Sequence, residues 1–156
     1  MAFEALETAQ APDITIAVRE HSLPAAQALC KELTAVLQKQ GRGGRLSVSL
    51  LDAISGDFDL LVNGTPVGMY PHVDASPVSA EVLARCAAVF DAVYNPDETL
   101  LLRLAKQNGA KAIGGMRMLV GQAAAAQEIW YNASFRDADI DALCRDAVKE
   151  MERIFQ

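Results

Sequence analysis

Cysteine is scarce in this chain: Cys30, Cys86 and Cys144 make an odd count at wide spacing. There is no C-x-x-C, and His21 and His72 are the only histidines. That excludes a disulfide framework and the ligand spacing of a zinc site, and no metal is expected. Free thiols fit a reducing cytosol, so the expected location is cytoplasmic. Long apolar runs are missing as well. Leu100–Leu102 and Ile113–Val120 are cut by charge or glycine well short of the ~20 residues that a membrane span needs. Positive charge is in deficit, with 14 Lys and Arg against 20 Asp and Glu and a net charge of -6. The basic residues are nowhere clustered, so nucleic acid is not an expected partner. Residues 1–10 carry Glu4 and Glu7 and no basic segment ahead of an apolar stretch, unlike a signal peptide.

What is present is apolar and patterned. Of 156 residues, 51% are hydrophobic and 22% charged, enough to bury the core of one ordinary domain and too apolar for disorder. Short β-branched or apolar runs alternate with longer helical patterns. Asp13–Val18 reads as a strand. Ser22 to Gln40 reads as a helix with Pro24 in its first turn, stopped by Gly41-Arg42-Gly43-Gly44. Leu46–Leu51 is a second strand. Phe58–Asn63 is a near-continuous apolar run, as expected of a strand buried on both faces.

After a loop from Gly64 to Pro77, the pattern predicts a short helix over Ser79–Cys86 and a strand over Val89–Tyr94. A helix over Glu98–Asn108 follows, with Leu101, Leu102 and Ala105 inward, then a strand over Lys111–Ile113. Two further helices are expected, from Gly115 to about Trp130 and over Asp137–Phe155. Strand–helix alternation of this kind predicts an α/β fold with a doubly wound, mostly parallel sheet in a three-layer αβα arrangement. No repeat or linker divides the chain.

Three segments rise above generic α/β. Asn63-Gly64-Thr65-Pro66-Val67-Gly68-Met69-Tyr70-Pro71 follows one strand. Phe90-Asp91-Ala92-Val93-Tyr94-Asn95-Pro96, with Glu98-Thr99, follows the next. Gly114-Gly115-Met116-Arg117-Met118-Leu119-Val120-Gly121-Gln122 enters a helix. All three lie at strand carboxyl ends, where open α/β sheets bind ligands, so they are expected to converge on one crevice. In order and spacing they resemble the cofactor-binding half of the shikimate/quinate dehydrogenase family, from about Asp13 to Trp130.

The resemblance implies a Rossmann-like fold and NADP-dependent interconversion of shikimate and 3-dehydroshikimate, in aromatic amino-acid biosynthesis. It implies that Tyr94 and Gln122 contact shikimate or a quinate-like molecule. Asn63, Thr65, Ala92 and Gly115 lie near the nicotinamide end, and Arg19 holds the adenosine 2′-phosphate through its planar fork. Three positions depart from the family's pattern. Val18-Arg19-Glu20 stands where the family has Asn-Arg-Thr, and a carboxylate there favours a free ribose hydroxyl, so NAD stands beside NADP. Ala92 is smaller than usual beside the nicotinamide, and Gln127 replaces a common Phe.

The G-x-G-x-x-G turn that should hold the pyrophosphate is absent from these residues, as is the family's substrate domain with its catalytic Lys and Asp. The expectation is one partial domain over 1–156, with residues 1–11 the remnant of the first helix and 131–156 carrying the C-terminal helix. No catalytic residue is assigned, and the isolated chain is expected to be inactive. The missing strand is the central one, so Asp13–Val18 and Phe58–Asn63 either pair directly or are completed by another chain, a homodimer mate or a complementing N-terminal half.

Plainer readings accompany each residue. Tyr94 and Gln122 would otherwise be a solvated phenol and a helix-surface amide. His21 and His72 are exposed loop residues, Met116 and Met118 are core or lining, and the three cysteines are inert. Asp137–Asp141 complements a helix dipole. The alternative to an enzyme half is a degenerate module that binds a metabolite or partner, or a dimerisation domain.

Overall fold

The computed structural model describes residues 13–41 and 43–155. They fall into two compact units, one ending at Ser55 and the other beginning at Gly56. The expected helix remnant over residues 1–11 lies outside the described residues, as does Arg42.

The first unit is a βαβ element: β1 (Asp13–Val18), α1 (Leu23–Lys39) and β2 (Arg45–Leu50). β1 and β2 pair in parallel from Asp13↔Arg45 to Val18↔Leu50. Parallel partners cannot be joined by a tight turn, so α1 serves as the crossover. It begins with Pro24 in its first turn, where no intrahelical N–H bond is lost. Leu33 and Leu37, one turn apart, pack against Ile14, Ile16 and Leu46. The helix ends at Gly41, whose φ of +62° suits a residue without a Cβ.

The second unit carries β3 (Phe58–Asn63), α2 (Ala80–Leu83), β4 (Cys86–Asp91), α3 (Leu100–Gln107), β5 (Lys111–Ile113), α4 (Met116–Tyr131) and α5 (Asp137–Ile154). Its sheet runs β3-β4-β5, every pair parallel. The core is Leu83, Cys86, Val89, Leu101, Leu102, Ala105 and Ala110, with Phe58 and Leu61 packed against it. α3 presents Leu101, Leu102 and Ala105 on one face, as its spacing predicts. Thr99 caps its start, accepting Leu102 N–H at 3.3 Å. Gly109, at φ +82°, lets Ala110 N–H reach Ala105 O at 3.0 Å and close its end.

Three expectations need correction. First, Phe58–Asn63 is not buried on both faces: Leu60 is 53% and Val62 42% exposed, because β3 ends its sheet. Second, β4 begins at Cys86, which pairs with Phe58, and stops at Asp91; the predicted helix before it shortens to four residues. Past a last rung from Ala92 N–H to Asn63 O, Val93 N–H is taken at 3.0 Å by the Asp91 carboxylate and not by β3. Third, β1 and β3 do not pair directly; each has one neighbour in its own sheet. The orders β2-β1 and β3-β4-β5 are what remains when the first strand is removed from the doubly wound order 3-2-1-4-5-6.

His21 lies in a short 3-10 turn, Glu20–Ser22, and not in a loop. His21 and His72 are exposed and Met116 is buried. Asp137 and Asp139 sit in the first turn of α5, where Asp139 accepts Arg136 N–H at 3.1 Å. No helix among the described residues is long and apolar enough to cross a membrane.

Leu83→Ala is expected to lower the unfolding free energy by ~2–5 kcal/mol, whereas Leu143→Ala on exposed α5 shifts it by less than ~0.5 kcal/mol. Urea denaturation followed by circular dichroism checks both. Burial pushes the Cys86 thiol up, and the nearby Arg85 charge only partly opposes it. At mildly alkaline pH an alkylating reagent should therefore label half-buried Cys30 and Cys144 before Cys86. Mass mapping reads the order, and equal labelling of all three contradicts it.

Candidate functional site

Asn63 and Asp91 are the last residues of β3 and β4 and stand opposite one another in the parallel ladder. Their side chains meet below the turns that leave the sheet. Asn63 Nδ2 donates to Asp91 Oδ1 at 2.9 Å. The same oxygen accepts Val93 N–H, and the other accepts Thr99 Oγ1 at 2.6 Å. Asn63 Oδ1 in turn accepts Thr65 N–H at 3.0 Å and the Thr65 hydroxyl at 2.7 Å. Asp91 and Thr99 are fully buried and Asn63 nearly so. Three turns are thus tied through one carboxylate.

Backbone contacts complete the walls. Ala92 N–H bonds Asn63 O at 3.0 Å, continuing the ladder by one rung. Tyr70 N–H bonds Asn95 O at 2.9 Å, fastening the loop after β3 to the turn after β4. The Tyr70 ring lies 5.3 Å from that of Phe155, just past α5. Gly115 sits directly against the turn after β4: its N–H reaches Val93 O at 3.3 Å, and a Cβ there would stand 2.4 Å from Ala92 O. Gly68, at φ +89°, would bring a Cβ to 2.9 Å from Ala75 O. The turns at the strand ends are therefore packed backbone on backbone, which explains why their sequence is rich in glycine and short side chains.

Asn63, Thr65, Ala92 and Gly115 come together by direct contact or hydrogen bond. Tyr94 stands just beyond Val93, 40% exposed, with its phenol at the surface. It lies three residues past the end of β4 rather than at it. Gln122 is exposed on α4, two turns from Gly115. Arg19 belongs to the first unit, exposed directly after β1. Asp91 and Thr99 lie inside the motif segments without a role of their own. The signal that marks them is a single acid in an apolar strand, followed eight residues later by a hydroxyl at a helix start.

Elsewhere in the second unit, an open groove of about 240 Å³ beside α4 and α5 is lined by Gly121, Ala124, Glu128, Phe135 and Ile140. Arg117 at its edge is held by Asp137 at 3.0 Å and by Asp141. Among the described residues no group of His, Cys, Asp or Glu side chains could hold a metal ion.

No family model matches the sequence. The chain is 41% identical over 121 residues to the shikimate dehydrogenase (NADP(+)) of Methanocaldococcus jannaschii, covering 77% of this chain and 43% of that protein. It is 44% identical over 123 residues to that of Methanosarcina mazei, covering 78% and 42%. A crystal structure of a shikimate dehydrogenase in complex with NADP+ matches at a TM-score of 0.70 and 36% identity, over 92% of this chain and 50% of that one. The fold of these neighbours is α/β and Rossmann-like. The chain spans about two fifths of the length of the curated relatives it matches.

Two glycines near the start of α4 should respond oppositely to a methyl group. Gly115→Ala forces the backbone of Ala92 aside and should cost ~1–3 kcal/mol. Gly121→Ala meets nothing within 4 Å inside a helix and should stabilise by ~0.5–1 kcal/mol. Urea midpoints of the two variants give both signs.

Proposed function

Over the part of their length that it spans, the chain is a relative of the shikimate dehydrogenases, and from that premise we propose that it is the nucleotide-binding part of an NADP-dependent oxidoreductase. The reaction would be reversible hydride transfer between the cofactor and the shikimate/3-dehydroshikimate pair. One observation carries the reading: the turns bearing Asn63 and Thr65, Ala92 and Tyr94, and Gly115 are held against each other at the carboxyl ends of β3, β4 and β5. That is where open α/β sheets receive ligands.

The residues fit one end of the cofactor. Ala92 and Gly115 would offer backbone surface to a planar ring, and Thr65, held by the buried Asn63, a short polar group beside it. When bound, the nicotinamide would supply the hydride. Tyr94 and Gln122 would bind hydroxyl or carboxylate groups of the substrate from this side. Arg19 would receive the 2′-phosphate of the adenosine. The pyrophosphate end is not provided for, because no strand–G-x-G-x-x-G–helix turn occurs in these 156 residues. Nor does any Lys fall in a motif matching the family's acid–base residue, so no catalytic residue is assigned.

Hydride transfer therefore calls for residues beyond these 156, and an N-terminal half carrying the first βα unit and the acid–base pair, in the same chain or a separate one, is what we propose supplies them. β3 keeps a free ladder edge with Leu60 and Val62 exposed, which suits pairing with such a strand. A homodimer is the lesser form of the same idea. Free cysteines agree with a cytoplasmic location. The absent pyrophosphate turn favours a second reading, a module that binds a small metabolite without chemistry.

Titration with NADP and with shikimate, with and without a separately made N-terminal half from a relative, decides between the two. The enzyme reading expects at least ~10-fold tighter NADP binding on adding that half, together with reduced-cofactor absorbance when shikimate is present. Unchanged affinity and no absorbance change would leave only the binding module. In the completed enzyme, Arg19→Gln should weaken NADP by ~10-fold or more and leave NAD unchanged, since a charge-assisted bond to phosphate contributes about 1.5–3 kcal/mol. Equal loss for both cofactors would remove Arg19 from the 2′-phosphate site.

A further inference from the structure

We propose that Asp91 is a positioning residue whose buried carboxylate sets where, and with which hydrogen-bonding polarity, Thr65 and Tyr94 meet their ligand. The inference rests on the reading of the crevice given above. Asp91 has no exposed surface, and the donors it bonds are all neutral: an amide, a backbone N–H and a hydroxyl. Aspartate is almost never fully buried without a compensating partner. An apolar residue packed with apolar neighbours would hold such a strand end at little or no cost in stability. What an acid adds is geometry.

A carboxylate only accepts, and that property propagates outward. Asn63 must turn its NH2 group toward Asp91, so its carbonyl oxygen faces the crevice side. That oxygen takes both the N–H and the hydroxyl proton of Thr65. The Thr65 oxygen already accepts Val67 N–H at 3.3 Å, and its own proton is committed, so it presents a lone pair to a ligand. Asp91 thereby makes Thr65 an acceptor, suited to an amide N–H or a hydroxyl and not to a carboxylate.

On the other side, the bond from Val93 N–H turns the chain out of the ladder immediately before Tyr94. The third bond holds the Thr99 hydroxyl with its lone pair toward Leu102 N–H, which caps α3. Both ligand-facing residues and the helix behind them refer to the same carboxylate.

Asp91→Asn keeps the shape and reverses one donor. The new NH2 group can face Thr99 while the remaining oxygen keeps its bonds to Asn63 and Val93. The Thr99 hydroxyl then loses the acceptor for its proton; with the amide turned the other way, its NH2 group faces the donors Asn63 Nδ2 and Val93 N–H, and the turns lose their common anchor.

The experiment titrates the 156-residue chain with shikimate and, separately, with NADP, for wild type, Asp91→Asn and Leu83→Ala. Leu83 is a core residue outside the crevice, and its variant controls for lost stability. The expected result is a ~10-fold or greater loss of affinity in Asp91→Asn for the ligand that wild type binds more tightly, while Leu83→Ala stays within about twofold of wild type. Equal affinity of the two variants would reduce Asp91 to a structural role and overturn the proposal. If Asp91→Asn does not fold, Thr99→Val, which removes a single one of the three donors, takes its place under the same criterion. Thr99→Ser, which keeps the hydroxyl, should restore wild-type affinity. Wild type binding neither ligand would fail the crevice reading itself and this proposal with it, and that outcome is visible before any variant is measured.

Discussion

A carboxylate sealed from water accepts hydrogen bonds and gives none back, and the second unit is organised around that one-way constraint at Asp91. Its three donors come from the end of β3, the turn after β4 and the capping residue of α3. Burying an unsatisfied carboxylate would cost far more than any of these bonds contributes singly. The three turns therefore have little freedom to move independently. Asp91 and Thr99 are both fully buried, and shielding from water makes the constraint strong.

The second organising fact is that the crevice walls are main chain. Gly115 packs against the carbonyls of Ala92 and Val93, Gly68 against that of Ala75, and Tyr70 N–H against that of Asn95. Backbone packed on backbone leaves no room for a Cβ, so the motif residues are small because the protein needs them small. A planar ligand ring finds the same surface useful. Packing and binding explanations of Gly115 are thus compatible, and stability measurements alone do not separate them.

Much of this was legible beforehand. The strands β1, β2, β3 and β5 and the helices fall close to the positions expected from period and punctuation, because Pro24, Gly41 and Gly109 act locally. The three motif segments were rightly grouped at strand ends. What periodicity missed was non-local. The run FDLLVN reads as doubly buried, yet Leu60 and Val62 are exposed, since burial depends on what else packs there and not on the strand itself. VFDAVY reads as strand up to Tyr94 because every residue in it but Asp91 is apolar, whereas β4 ends at Asp91 itself. Asp91 and Thr99 take their roles from each other and, for Asp91, from Asn63 on the neighbouring strand.

Recognition and chemistry come apart in this chain for a physical reason. Thr65, Tyr94 and Gly115 are positioned by contacts within the second unit, so their geometry does not depend on the missing turn. Holding a dinucleotide is another matter. The pyrophosphate carries the charge, and its usual anchor is the row of unsatisfied N–H groups at a helix N-terminus after a glycine-rich turn. Without that anchor, the proposed association would rest on the nicotinamide ring and on whatever Arg19 contributes, against the translational and rotational freedom that any ligand loses on binding. A strand paired along β3 would alter this balance by bringing its own helix N-terminus, so the same event that completes the ladder would supply the missing anion site.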